Sequence, residues 1–295
     1  MNVFVAGGTG YIGNQIIEQL LKDGHSVRTL VRKGSGQKLR STSAKTIQGD
    51  LTDPALVAAA LEGCSAVVYC IGLLREFPSQ GISFETAHVT GVRSLAEKAL
   101  RAGIKRWIHI SANGVRPDTP DGYRRTKYRA EEFIKVQDLD YTILRPSVVF
   151  GGETDRTVNF VTAVRDIIGS IPLVVPVIGS GSYLMQPVHT VDLATAVSAI
   201  IDMRSTFKKT YSVCGKQSIS YNSIVDRVTH MYNLKKKIKI HIPVVFIRTL
   251  AALFQQFKAF PVTVEQIDML VNGNTCTDTS LFDELGMTPQ SFSGL

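Results

Sequence analysis

The five residues Tyr123-Arg124-Arg125-Thr126-Lys127 carry the most chemistry in this chain. On a helix, positions i and i+4 share a face, so a phenol and an ammonium can point into one cleft. A nearby ammonium favours the phenolate and brings a tyrosine pKa down from about 10 toward neutrality, making the phenol a general acid or base for a carbonyl or alcohol. The same residues at a solvated helix start would do no chemistry, and the spacing alone does not choose between the two.

A second cluster is glycine-rich. Gly7-Gly8-Thr9-Gly10-Tyr11-Ile12-Gly13 follows the apolar run Val3-Phe4-Val5-Ala6 and leads into an amphipathic stretch. Glycine there permits a tight turn, close approach of the backbone to a pyrophosphate and close packing of helix on strand, while the helix N-terminus offers N–H groups to the phosphates. The alternative is a tight strand-to-helix turn and nothing more. At the end of the next apolar run, where an acid would bind an adenosine ribose, stand Val31-Arg32-Lys33. Arg32 can meet a 2′-phosphate bidentately and Lys33 adds charge, so NADP is favoured over NAD, unless both point into solvent. Arg28 lies on the same face as Arg32 and reads as an ordinary strand residue or an assistant to it. Asp50, followed by Leu51, is placed to accept from the adenine amino group or to cap the next helix, a role open equally to Thr52 or Asp53. Cys70-Ile71-Gly72 would run beneath the adenosine and its ribose.

These residues need a scaffold. Apolar runs at 3–6, 27–31, 45–48, 66–70, 107–111 and 141–144 alternate with helical patterns at 10–22, 54–61, 86–102 and 127–137, the rhythm of βαβ units in a parallel sheet. Gly24, Gly63 and Gly103 stand where left-handed helix ends are needed. The expected fold is α/β, a doubly wound parallel-sheet Rossmann domain over 1–150 to which 183–205 returns, with a smaller mixed C-terminal lobe from 151–182 and 206–295. In the returning segment Asp192 is placed to N-cap a helix. The lobe reads as a strand at 211–214, a helix from Tyr221, the run Lys235-Lys236-Lys237-Ile238-Lys239, and apolar helices at 243–257 and 263–271.

Composition narrows the function classes. With 295 residues, 44% of them hydrophobic, the chain can bury a large core without metals or disulfides. A formal charge of +8 suits an anionic ligand without singling out nucleic acid, for which no motif is present. Cys64, Cys70, Cys214 and Cys276 lack C-x-x-C spacing, so neither a metal nor a disulfide role is expected and a reducing, cytoplasmic setting fits. No secretory signal and no spanning helix are read. The lysine run and the apolar segment after it make a peripheral membrane or partner contact one reading; a solvated turn before a helix buried over a substrate cleft is the favoured one.

With Gly7, Gly10 and Gly13, Asp50, Tyr123-x-x-x-Lys127 followed by Ala130-Glu131, and Leu144-Arg145-Pro146 before Phe150-Gly151, the chain resembles the short-chain dehydrogenase/reductase superfamily in its extended or atypical branch. Gln186-Pro187-Val188-His189-Thr190-Val191-Asp192 and Pro261-Val262-Thr263-Val264-Glu265-Gln266 look most like the group related to the nucleotide-binding accessory subunit of respiratory complex I. The resemblance implies Tyr123 as acid/base, Lys127 as its partner and ribose ligand, and backbone around Pro146 and Val148 against the nicotinamide carboxamide. Where extended members carry Ser or Thr after the fifth strand, this chain has Asn113, with Ser111 one pleat away. His88 would brace the active-site backbone, His189 reads as structural, and Arg116, Arg124 and Arg125 either attract an anionic substrate or are ordinary surface. Three functions follow: an NADP(H)-preferring oxidoreductase on a carbonyl or alcohol, a cofactor-holding structural or assembly factor of a larger complex, and a sugar-nucleotide epimerase or dehydratase. The substrate or protein partner is not identified by these residues.

Overall fold

The computed structural model describes residues 1–77, 81–152, 159–255, 257, 260 and 262–292. Its elements, in chain order, are β1 (Asn2–Ala6), α1 (Tyr11–Lys22), β2 (Ser26–Val31), β3 (Lys45–Gln48), α2 (Pro54–Leu61), β4 (Ala66–Tyr69), α3 (Gly91–Arg101), β5 (Arg106–Ile110), α4 (Gly122–Lys135) and β6 (Asp140–Pro146). There follow β7 (Val149–Phe150), α5 (Phe160–Ser170), β8 (Val174–Ile178), β9 (Leu184–Met185), β10 (Val188–His189), α6 (Thr190–Ala199), β11 (Lys209–Val213), β12 (Ile219–Ser220), α7 (Tyr221–Met231), β13 (Ile238–Ile242), α8 (Val244–Phe254), α9 (Val264–Val271) and α10 (Ser280–Glu284).

The chain divides into two compact units. The first comprises 1–146, 190–213 and 278–287. Its seven strands are all parallel, in the order β11-β6-β5-β4-β1-β2-β3, so the winding reverses between β1 and β4. In an open α/β sheet ligands bind outside the strand C-termini at such a reversal. Strands buried on both faces read as continuous apolar runs, as Val3-Phe4-Val5-Ala6 and Ala66-Val67-Val68-Tyr69 do. Phe4, Tyr69, Trp107, Leu95 and Ile134 form the centre of the core on one side of the sheet. Gly24, Gly63 and Gly103 take φ of 83°, 67° and 78°, a conformation that a Cβ would penalise.

The structure corrects several expectations in this unit. The segment that returns to it is 190–213, and 278–287 joins it as well. The strand read at 211–214 as part of the smaller lobe is β11, paired from Lys209↔Thr142 to Val213↔Pro146 with β6; a short apolar run does not reveal which sheet it joins. Asp192 lies in the first turn of α6 rather than at its cap. The helix expected at 86–102 is two pieces, a π-helical turn over Glu85–Thr90 and then α3.

The second unit comprises 147–189, 214–277 and 288–295. Three two-stranded pairs, β10-β7, β12-β9 and β13-β8, frame a core of Phe150, Val161, Val177, Ile224, Val228 and Phe292. Cys214 and Cys276 are joined in a disulfide, Cα atoms 6.0 Å apart, which overturns the expectation of four free thiols. Nothing local marks that pair, because 62 residues separate its members. α8 buries Ala251 alone, so its apolar residues are not the buried set that the sequence suggests. Pro261, part of one motif above, lies outside the described residues.

Candidate functional site

The glycine turn is built so that side chains cannot enter it. Gly7 has φ of 90°, and a Cβ there would stand 3.0 Å from the Ile71 nitrogen and 3.1 Å from the Cys70 carbonyl carbon. A Cβ on Gly13 would lie 2.2 Å from the Gly7 oxygen, and one on Gly8 2.5 Å from Thr29 Oγ1. The turn is closed by Gly10 N–H donating to the Gly7 carbonyl at 2.9 Å. α1 starts at Tyr11 with a glycine at its cap and no acid in its first turn, so its positive end suits an anion. A dinucleotide pyrophosphate fits this cradle of backbone N–H groups with no Cβ in the way. Thr9 belongs to the same turn, and Ile12 stands in the first turn of α1.

Asn14, which no sequence motif singles out, locks the neighbouring loop. Its Nδ2 donates to the Gly10 and Lys38 carbonyls at 3.0 Å each, and its Oδ1 accepts from Arg40 N–H at 2.8 Å. The side chain is 5% exposed, and it ties the glycine turn to the segment that follows Arg32 and Lys33. A polar residue on the buried face of an amphipathic helix is the signal that could have found it. Arg32 and Lys33 are exposed at the end of β2, whereas Arg28 is committed to the Glu62 carbonyl. Asp53 caps α2, accepting from Ala55 and Leu56 N–H at 3.0 and 3.1 Å, which leaves exposed Asp50 free of that duty. Asp50 Oδ1 accepts locally from Thr52 N–H at 3.1 Å, just ahead of which Leu51 packs on the core.

At the reversal point the chain segments converge. Cys70, Ile71 and Gly72 leave β4 against Gly7, with Cys70 Sγ donating to the Ala6 carbonyl at 3.0 Å. Lys127 Nζ donates to the Ile110 carbonyl at 3.0 Å and the Ile71 carbonyl at 3.3 Å, bridging the ends of β4 and β5 from α4. α4 begins at Gly122, five residues earlier than the periodicity suggests, because Asp121 caps it by accepting from Arg124 N–H at 2.7 Å. Tyr123 and Lys127 therefore both lie on the helix, buried, four residues apart.

Their electrostatics differ from the expected pair. Burial pushes the Tyr123 phenol up to about 12, opposed chiefly by Arg124, and brings the Lys127 ammonium down to about 8. The ammonium is directed at two main-chain carbonyls, so it does not lower the phenol as the spacing predicts. Packing fixes the ring: Phe84 and His88 meet it edge-on at centroid distances of 5.7 and 5.3 Å. His88 is pushed down to about 2 by burial and is neutral at every physiological pH. Its Nε2 accepts from Leu73 N–H at 3.1 Å, which makes Nδ1 the donor to Thr126 Oγ at 2.9 Å; Thr126 in turn donates to the Tyr123 carbonyl at 2.9 Å. This relay braces the loop after β4 against the start of α4.

Ser111 is engaged elsewhere, donating to Glu131 at 2.5 Å. Glu131 is fully buried and also takes Arg145 Nε and Nη2 at 3.0 and 2.5 Å. Asn113 is half-buried, its N–H donating to the Pro146 carbonyl at 2.8 Å, so the β5 and β6 ends meet where an amide side chain replaces the usual hydroxyl. Val148 belongs to the second unit. His189, also in that unit, packs edge-on to Phe150 and sits near Gln290 at 3.3 Å. Arg116 pairs with Asp118 at 3.0 Å and Arg124 with Asp121 at 3.7 Å, while Arg125 is exposed. Among the described residues no cluster of His, Cys, Asp and Glu could hold a metal ion, and no helix is long and apolar enough to cross a membrane.

Comparison with known proteins agrees with this geometry. The family described as NAD(P)H-binding matches residues 7–169. The mitochondrial NADH dehydrogenase (ubiquinone) 1 alpha subcomplex subunit 9 of Arabidopsis thaliana is 28% identical over 98% of this chain and 75% of that protein. A ceramide reductase of Caulobacter vibrioides is 27% identical over 67% of this chain and 60% of that protein. UDP-glucose 4-epimerase of Thermotoga maritima shares the fold, with a TM-score of 0.76 at 17% identity over 100% of this chain and 96% of that one.

Proposed function

Because the chain belongs to the NAD(P)H-binding family, in the atypical short-chain dehydrogenase/reductase group, we propose that it binds NADP(H) in its first unit and reduces a carbonyl there. The observation that carries this reading is geometric: the buried Tyr123 phenol stands on the same helix as Lys127, whose ammonium reaches the Ile71 carbonyl where that segment passes Gly7 of the glycine cradle. NADPH, when bound, supplies the hydride. At neutral pH Tyr123 carries its proton, so it can protonate the alkoxide oxygen that hydride addition creates, a stronger base than phenolate even with the phenol pushed up to about 12. Asn113 offers an amide N–H to the same oxygen, weaker than a serine or threonine relay but of the right polarity. Lys127 has three N–H donors and spends two on the Ile71 and Ile110 carbonyls, leaving one for a ribose hydroxyl. Arg32, exposed and fork-shaped, with Lys33 beside it, receives the 2′-phosphate, and Asp50 accepts from the adenine amino group.

Fluorescence titration with NADPH and NADH tests the binding. Arg32→Ala should weaken NADPH about 10- to 100-fold, the range of a charge-assisted pair, and leave NADH unchanged. Equal affinities in the wild type would remove the phosphate assignment. Tyr123→Phe should abolish carbonyl-dependent NADPH oxidation with NADPH affinity retained.

A second reading is that the dinucleotide is held without being cycled, in a structural or assembly subunit. It is supported by the similarity, over 98% of this chain and 75% of that protein, to an NADH dehydrogenase (ubiquinone) 1 alpha subcomplex subunit, and by Asn113 in place of a hydroxyl. Tight NADPH binding without oxidation across a panel of ketones and aldehydes would select it.

A further inference from the structure

α8 is an 11-residue helix in the second unit with one charged residue, Arg248, and one buried residue, Ala251. Val245, Phe246, Thr249 and Leu253 fall on a single face of it; Val245 is 78% exposed, Phe246 59% and Leu253 61%. Pro243 joins this helix directly to β13, and Gly179 N–H donates to the Ile242 carbonyl at 2.7 Å, so the helix emerges from the β13-β8 pair. On that pair Ile238 is 71% exposed, and its N–H donates at 3.2 Å to the carbonyl of Leu173, which is exposed too. A scatter of exposed apolar side chains needs no explanation, but a helix apolar nearly all round that buries one residue does.

The charge around this surface is predominantly positive, with Arg248 paired to Asp268 at 3.2 Å. Residues 227–255 include six Lys or Arg and no Asp or Glu. Lys237 is anchored on the Ile168 and Ile171 carbonyls and Lys239 pairs with Asp226 at 2.7 Å, whereas Lys235 and Lys236 are exposed and have no acidic partner among the described residues. We infer that α8 and the Lys235–Lys236 turn together form a docking surface for an anionic lipid bilayer, with the Val245, Phe246 and Leu253 face set into the headgroup region and the lysines on the lipid phosphates. A helix of 11 residues is too short to span and long enough to lie in the interface. Docking of this kind is independent of the proposed carbonyl reduction.

Flotation of the full chain with vesicles tests it. Vesicles of phosphatidylcholine with about a quarter phosphatidylglycerol should capture the protein at roughly 50 mM salt and release most of it at roughly 500 mM; pure phosphatidylcholine should capture little. Lys235→Gln with Lys236→Gln should weaken capture by about 25-fold, roughly fivefold for each lysine. Phe246→Ser with Leu253→Ser should weaken it at least about tenfold while the thermal unfolding midpoint stays unchanged, since both side chains already face solvent. Absence of capture by the anionic vesicles, or equal capture of the lysine variant and the wild type, overturns the inference. A concentration-dependent dimer that Phe246→Ser dissolves, without vesicle binding, overturns it in favour of a second copy of the chain.

Discussion

Replacing Lys127 with Met separates what this ammonium costs the fold from what it does for a ligand. Burial holds the folded pKa at about 8 against an ordinary 10.5. Below pH 8 the lysine is protonated in both the folded and unfolded states, and the full cost of burying its charge is present. Between pH 8 and 10.5 the unfolded chain holds the proton and the folded one has released it, so stability rises with pH at about 1.4 kcal/mol per unit. The span corresponds to about 3 kcal/mol, recovered gradually as the pH passes through that window. Lys127→Met has no such proton, so the stability of wild type minus variant should climb by roughly 2 to 3 kcal/mol from about pH 7 to pH 10.5. Urea denaturation of both proteins at half-unit intervals measures it, and titrating groups that do not interact with Lys127 cancel in the difference. A difference that stays flat within about 0.5 kcal/mol would refute the claim that the ammonium is desolvated at the Ile71 and Ile110 carbonyls. Loss of NADPH affinity in the same variant would locate the remaining N–H on the ligand.

Gly13→Ala puts a methyl 2.2 Å from the Gly7 carbonyl oxygen, which belongs to the backbone and cannot turn away; a loss of about 1–3 kcal/mol and of any NADPH-induced thermal shift is expected in a melting assay. Glu131→Ala leaves Arg145 and Ser111 without their shared partner, and chemical denaturation should register about 3 kcal/mol, the lower end for a broken buried pair because Arg145 is partly exposed. Opening the Cys214–Cys276 bridge frees a loop closed across 62 residues, so dithiothreitol should lower the wild-type melting point by the equivalent of up to about 4 kcal/mol and leave Cys276→Ser unmoved. His88→Ala should loosen the loop after β4, seen as faster amide exchange at Leu73, whereas no titration of His88 should appear between about pH 5 and 9.

The glycine turn, the run of βαβ units and the helix ends at Gly24, Gly63 and Gly103 are legible in the chain itself, because each is a local steric requirement written in adjacent residues. The Tyr123-x-x-x-Lys127 spacing likewise reveals a shared helix face. Where the Lys127 ammonium goes is another matter. Two carbonyls, 56 and 17 residues away in the chain, capture it, and only their convergence at the β4 and β5 ends makes that possible. Ser111 is drawn to Glu131, β11 to the edge of the main sheet, and Cys214 to Cys276 by the same kind of long-range meeting. Local sequence determined which residue types could do chemistry and the rhythm of the elements that carry them. Tertiary structure decided their charge states and partners, because desolvation and hydrogen bonding depend on what the rest of the chain brings alongside.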